Sequence, residues 1–110
     1  MSEIRRADIG VFTGTTFLQI IPPPTTGVYV VPPGGFVFHN ADNAARTFVI
    51  QHRKGDLIVE IFNSSLAAGE GYAWPFEMTI ANDFDGLFGK VTASPTTQPT
   101  WYYSGRNEVV

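Results

Sequence analysis

The chain has 110 residues, 44% hydrophobic and 15% charged, a formal charge of −3 and no cysteine. That length supports one domain whose burial exceeds its conformational entropy only modestly, so contact with neighbours would add to its stability. The acidic balance and scattered basic residues argue against a nucleic-acid partner, which needs clustered Lys and Arg against phosphates, and the lack of cysteine excludes a disulfide framework or thiolate metal site.

Residues 1–8 read as a short charged arm, mobile in the isolated protein, and residues 9–110 as one domain. From Ile9 to Ala41 there is no Asp, Glu, Lys or Arg, while Pro22-Pro23-Pro24, Gly27, Pro32-Pro33 and Gly34-Gly35 break any helix. So neutral a stretch has to be buried in a core or against another protein. Val11 to Ile21 is rich in β-branched and aromatic residues and reads as a strand ended at a sheet edge by the proline triplet. Val28–Val31 and Phe36–His39 flank the turn Pro32-Pro33-Gly34-Gly35.

After the polar hinge at residues 40–45, Thr47–His52 and Leu57–Phe62 read as strands around the turn Arg53-Lys54-Gly55-Asp56. Ser64 to Ala68 has room for one helical turn before Gly69 and Gly71 stop it. Tyr72-Ala73-Trp74, Phe76–Ile80, Leu87–Thr92 and Thr100–Tyr103 complete the strands, with a turn at Asn82–Gly86 and a loop at Ser94–Pro99. About eight short, evenly spaced strands predict an all-β fold, a β-sandwich with a jelly roll as first choice and an extended N-terminal segment.

Catalytic and metal-binding patterns are weak. His39 and His52 are the only histidines, and with no cysteine they lack the further ligands a zinc site requires. Asp83-Phe84-Asp85-Gly86 opens like a calcium loop, but Phe88 stands where its glycine and Ser94 where its bidentate Glu should be, so a hairpin turn is preferred. There is no Gly-x-Ser-x-Gly elbow, and Glu60, Glu70, Glu77 and Asp85 form no specific acid–base pair. No catalytic residue, metal or cofactor is expected.

No apolar run reaches membrane-spanning length, and Met1 to Arg6 lacks an apolar signal core, so synthesis in the cytoplasm and no membrane partner are expected. The cluster Trp101-Tyr102-Tyr103 near Arg106 has the residue types that dominate protein interfaces. Strand alternation puts Trp101 and Tyr103 on one face and Tyr102 on the other, one face serving the core and the other open to contact.

Val30-Val31-Pro32-Pro33-Gly34, the strand ending Phe38-His39-Asn40, the central Ser65-Leu66-Ala67-Ala68-Gly69 and the closing Ser104-Gly105-Arg106-Asn107-Glu108 resemble small virion proteins of tailed bacteriophages. Those proteins share a Val-Pro-x-Gly turn, an Asn after the next strand and a Ser-Gly near the end. This chain departs by a second proline in the turn and by its long uncharged N-terminal segment. The resemblance implies a non-enzymatic capsid decoration (cement) protein on the virion surface, bridging major capsid protein subunits as a homo-dimer or homo-trimer. A tail or fibre component, with Trp101, Tyr102 or Trp74 as glycan-stacking platforms, is the alternative. The expected contact residues are Phe12, Phe17, Pro22, Pro23, Pro24, Trp101, Tyr102, Tyr103 and Arg106.

Overall fold

Alternating side chains punctuated by proline and glycine are realised as strands alone in the computed structural model, which describes residues 2–109. The strands are β1 (Ser2–Val11), β2 (Leu18–Ile21), β3 (Val28–Val31), β4 (Phe36–His39), β5 (Arg46–Lys54), β6 (Leu57–Leu66), β7 (Gly71–Ala73), β8 (Met78–Ala81), β9 (Gly86–Val91) and β10 (Thr100–Val109). They pair antiparallel in a nested series: β1 with β10, β2 with β9, β3 with β8, β4 with β7, and β5 with β6. Both β3 and β4 run along β10, the first opposite residues 106–108 and the second opposite 100–103. The proline–glycine turn at 32–35 therefore interrupts one long strand, and the pair β7 and β8 is interrupted beside it. One sheet follows the order β7-β4-β10-β3-β8, with β1 also on β10, and the other the order β2-β9-β5-β6. A long hairpin wrapped in this nested way into two facing sheets is a jelly-roll sandwich.

Three local expectations change. The segment expected as a mobile arm is β1, paired with β10 from Ser2↔Val109 to Val11↔Thr100; only Met1 lies outside the described residues. The strand expected over Val11–Ile21 is shortened to β2, because residues 12–17 leave the sheet to cross the end of the sandwich, where the Phe12 amide donates to the Pro99 carbonyl at 2.8 Å. Ser64–Leu66 continue β6 instead of turning as a helix, since their partners on β5 extend the ladder to Arg46.

The core lies between the sheets. Phe12 packs edge-on against Phe48 at 5.2 Å, and Phe38 meets Phe36, Phe48 and Phe62 at 5.4, 5.3 and 5.0 Å. Tyr29, Val31 and Ile80 close one side, and Ile20, Ile50, Leu87 and Val91 the other, all buried. Each such side chain contributes about 1.5–3 kcal/mol through removal from water. Gly105 is required where β10 passes Tyr29: a Cβ there would strike the Val30 carbonyl and sit 2.9 Å from the tyrosine ring.

Two buried polar residues tie the loops at one end of the sandwich. The Asn40 side-chain amide donates to the carbonyls of Ala44, Leu66 and Ala67 at 2.9, 3.0 and 3.2 Å, and its oxygen accepts the Asp42 amide at 3.1 Å. Asp42 in turn accepts the Arg46 guanidinium at 2.6 Å and the backbone amides of Asn43, Thr96 and Thr97. Arg46 and those amides favour the ionised carboxylate over its burial cost and hold its pKa at about 2.

Replacing Asn40 with Ala removes the three bonds its amide donates and the one its oxygen accepts, with the Ala67 carbonyl keeping the Glu70 amide, so urea denaturation should show a loss of about 2–4 kcal/mol. Asp42 has a folded pKa below its ordinary value of 3.8, so its contribution is present above about pH 4 and is lost as pH falls through the folded value of about 2. Melting temperature followed from pH 6 to pH 2 should fall across that window, and the fall should be smaller in Asp42→Asn, which starts from a lower plateau.

Candidate functional site

Residues that pair directly across a sheet share a face, so the registers show what each face presents. On the sheet containing β10, Trp101 and Tyr103 turn inward and stack at 5.9 Å, and the Trp101 indole donates to the Val11 carbonyl at 3.2 Å. Tyr102 turns outward, in a row with Ile9 on β1, Val37 on β4 and Ala73 on β7. The adjacent row is Val11, Thr100, His39 and Gly71. Neither row carries an Asp, Glu, Lys or Arg, and Ile9 and Tyr102 are exposed. This is an outer sheet face of neutral, partly aromatic character.

The expected contact residues separate accordingly. Phe12, Trp101 and Tyr103 belong to the core, and Pro24 is buried with them. Their side chains are packed within this chain. Pro22 and Pro23 are half-buried, and the Pro22 carbonyl accepts a hydrogen bond from Arg6 at 2.9 Å. Phe17 lies between the cations of Arg53 and Lys90, at 4.8 and 4.6 Å from its ring centre. Arg106 is half-buried and bonds Glu108 at 2.9 Å. Of the nine, Tyr102 alone presents a large exposed apolar surface.

Apolar exposure lies largely where sequence reasoning did not place it. Leu57, Ile58 and Val59 are 69, 54 and 60% exposed on β6, an edge strand of ten residues with Glu60 as its one charge and no proline. Phe76 is 65% exposed on the loop between β7 and β8. The triplet carried a signal, since a half-buried strand should alternate and three consecutive apolar residues break that rule. Phe76 carried none, because it fits an apolar–polar pattern that continues into β8.

Two clefts open on the surface. A cavity of about 340 Å³ lies where β3 and β4 part along β10, lined by Arg6, Ala7, Pro32, Ser104, Gly105 and Arg106. Arg6 lies over the ring of Tyr29 at 4.1 Å, and the Tyr29 hydroxyl donates to the Arg6 carbonyl at 2.7 Å. Burial lifts the Tyr29 pKa to about 12, against the opposing pull of Arg6, so the phenol keeps the proton it donates. A second cavity of about 200 Å³ is lined by His52, Arg53, Lys54, Leu57, Val59 and Phe84. His52 there packs on Phe84 at 5.0 Å, and burial lowers its pKa.

His39 lies on the other sheet, its ring nitrogen 3.0 Å from the Gly69 carbonyl. Among the described residues no group of three or more His, Cys, Asp or Glu is placed to hold a metal ion. What the surface offers is a neutral sheet face, an apolar triplet at the start of edge strand β6 and a cleft beside it.

No family model matches the chain, and no curated protein matches it. Its fold is similar to that of a solved structure described as "Bacillus endospore appendages form a novel family of disulfide-linked pili", with a TM-score of 0.54 and 14% identity over 99% of this chain and 88% of that chain. At that identity the likeness shows a shared fold. This chain has no cysteine with which to form a disulfide.

The division between core and surface has a measurable consequence. Trp101→Ala should cost about 3–5 kcal/mol in urea denaturation, as expected for an emptied core site, whereas Tyr102→Ala, on the opposite face of the same strand, should cost less than about 1 kcal/mol.

Proposed function

We propose that the protein is a non-enzymatic structural subunit of a phage particle, a capsid decoration protein that binds the major capsid protein and bridges neighbouring coat subunits. The observation that carries this reading is the outer face built on Ile9, Tyr102, Val37 and Ala73, a charge-free surface spanning four strands. A neutral face of this kind costs little desolvation when covered, and an exposed aromatic at its centre is the usual anchor of an interface. The resemblance of the Val-Pro-x-Gly turn, Asn40 and the terminal Ser-Gly to small virion proteins points the same way. Modest affinity per copy is sufficient, because many symmetry-related contacts multiply it on a lattice.

A second reading, a tail or fibre component, draws support from the fold shared with a structure described as forming pili. Its glycan-binding form loses Trp101 as a sugar platform, since that ring is buried against Tyr103.

Sedimentation of the purified protein with undecorated shells tests the proposal. Saturable co-sedimentation is expected, with Ile9→Asp and Tyr102→Asp each weakening it about tenfold or more. Failure of the intact protein to bind at micromolar concentration, together with binding to isolated tails, would transfer the reading to the second alternative.

A further inference from the structure

Leu57 and Val59 face the wrong way for exposed residues. Val59 pairs with His52, and His52 with Leu87, while Leu87 shares its face of β9 with Gly89 and Val91, which point into the core. Leu57 and Val59 therefore stand on the core-facing side of their sheet, at the end where no strand of the opposite sheet covers them. With Phe84 and the stem of Lys54 they form the walls of the 200 Å³ cavity, an open continuation of the hydrophobic core. Nε2 of His52, on the same wall, is buried with no hydrogen-bond partner. Inward-facing apolar residues left exposed around an open cleft describe a socket suited to an apolar side chain.

The molecule also carries a knob. Among the described residues, the large apolar side chains that are strongly exposed are Ile9, Val11 and Tyr102 on the outer face, Leu57 to Val59 on β6, and Phe76, which stands on a loop. Pro75 stiffens that loop, and Trp74 meets the Phe76 ring edge-on at 5.7 Å, so the ring is held out at small entropic cost. A phenyl ring fits the space, since an apolar cavity of about 150 Å³ accepts benzene. Glu77, exposed beside the knob, matches Lys54 at the rim, which is half exposed and now faces Asp83 at 3.3 Å.

Knob and socket are set apart along the sandwich, the knob at the interruption between β7 and β8, beside the 32–35 turn where the Gly34 amide bonds the Trp74 carbonyl, and the socket beyond the far end of β8. Phe76 precedes Met78, where β8 begins opposite Val31, and Phe84 follows Ala81, where it ends opposite Val28. The Asp85 amide bonds to the Arg53 carbonyl and fixes the β5–β6 turn at the second end. The four residues of β8, about 13 Å of extended chain, separate the two features. Phe76 is not among the residues that line its own chain's socket, and its ring stays exposed.

We infer that the Pro75-Phe76-Glu77 loop of one copy inserts into the Leu57–Val59–Phe84 socket of the next, a head-to-tail contact between copies of this chain. It rests on the reading of the protein as an assembly subunit and names the contact that joins one copy to another. Such a heterologous contact closes into a ring, a trimer among the possibilities, or propagates as a filament, according to the rotation between copies.

Analytical ultracentrifugation of the full chain and two surface variants, Phe76→Asp and Val59→Asp, tests this, with thermal melting as the check on folding. The intact protein should associate beyond a monomer. Each variant alone should remain monomeric to at least tenfold higher concentration. An equimolar mixture should form a one-to-one dimer and stop there, because one intact knob and one intact socket remain. Lys54→Glu should weaken association, and combining it with Glu77→Lys in the same chain should restore it.

A monomeric intact protein would overturn the inference. So would a dimer that survives Phe76→Asp but not Val59→Asp, the pattern of symmetric pairing between two β6 edges. Shell binding by a monomeric Phe76→Asp variant would leave the decoration role standing without this contact, and association without shell binding would do the reverse.

Discussion

Strand β10 is the constraint on which the first sheet depends. It pairs with β1 along one edge and with β4 and then β3 along the other, so its alternation decides the faces of all four. With Trp101, Tyr103 and Gly105 inward, Tyr102, Ser104 and Arg106 must point out. A slip of one residue would exchange two buried rings for one and drive Arg106 toward the core. Gly105 fixes the register further, because Tyr29 occupies the space above it and its hydroxyl reaches back to the Arg6 carbonyl on β1.

The two sheets treat their free edges differently, and the assembly reading turns on that difference. β1 carries four charged residues, Glu3, Arg5, Arg6 and Asp8, of a kind that discourages indiscriminate edge pairing. β2 is closed by the proline triplet. β6 has no proline and a single charge, Glu60, beside the β-bulge that shifts its register on β5, and Leu57 and Val59 before that charge are exposed. Under the assembly reading the apolar triplet of β6 is covered, which agrees with the low proportion of charged residues in the whole sequence.

Much of this was legible before the fold was known. The strands at Val28–Val31, Phe36–His39, Thr47–His52, Leu57–Phe62 and Leu87–Val91 follow from β-branched and aromatic runs between turn residues, and all are present. The opposite orientations of Tyr102 and its neighbours follow from period-two alternation alone. The arm at residues 1–8 was misread because Glu3, Arg5, Arg6 and Asp8 look like solvated tail residues, whereas an edge strand tolerates charges when its partner supplies the ladder. A neutral stretch must be covered by something, and composition does not say whether that cover is the same chain, as it is for Phe12 and Pro24, or another.

What the sequence by itself determined is local: strand against turn, the inward or outward sense of each side chain, and the absence of thiolate chemistry. These depend on neighbouring residues and on a pleat with period two. Only the tertiary structure decided which strands meet, that β3 and β4 are two halves of one sheet strand, and that Leu57 and Val59 face inward with nothing across from them. Those facts depend on pairings between residues as distant in sequence as Ser2 and Val109. Nothing within a window of a few residues encodes them, because a strand's hydrogen bonds are the same whichever partner it finds, and burial is a property of what lies opposite.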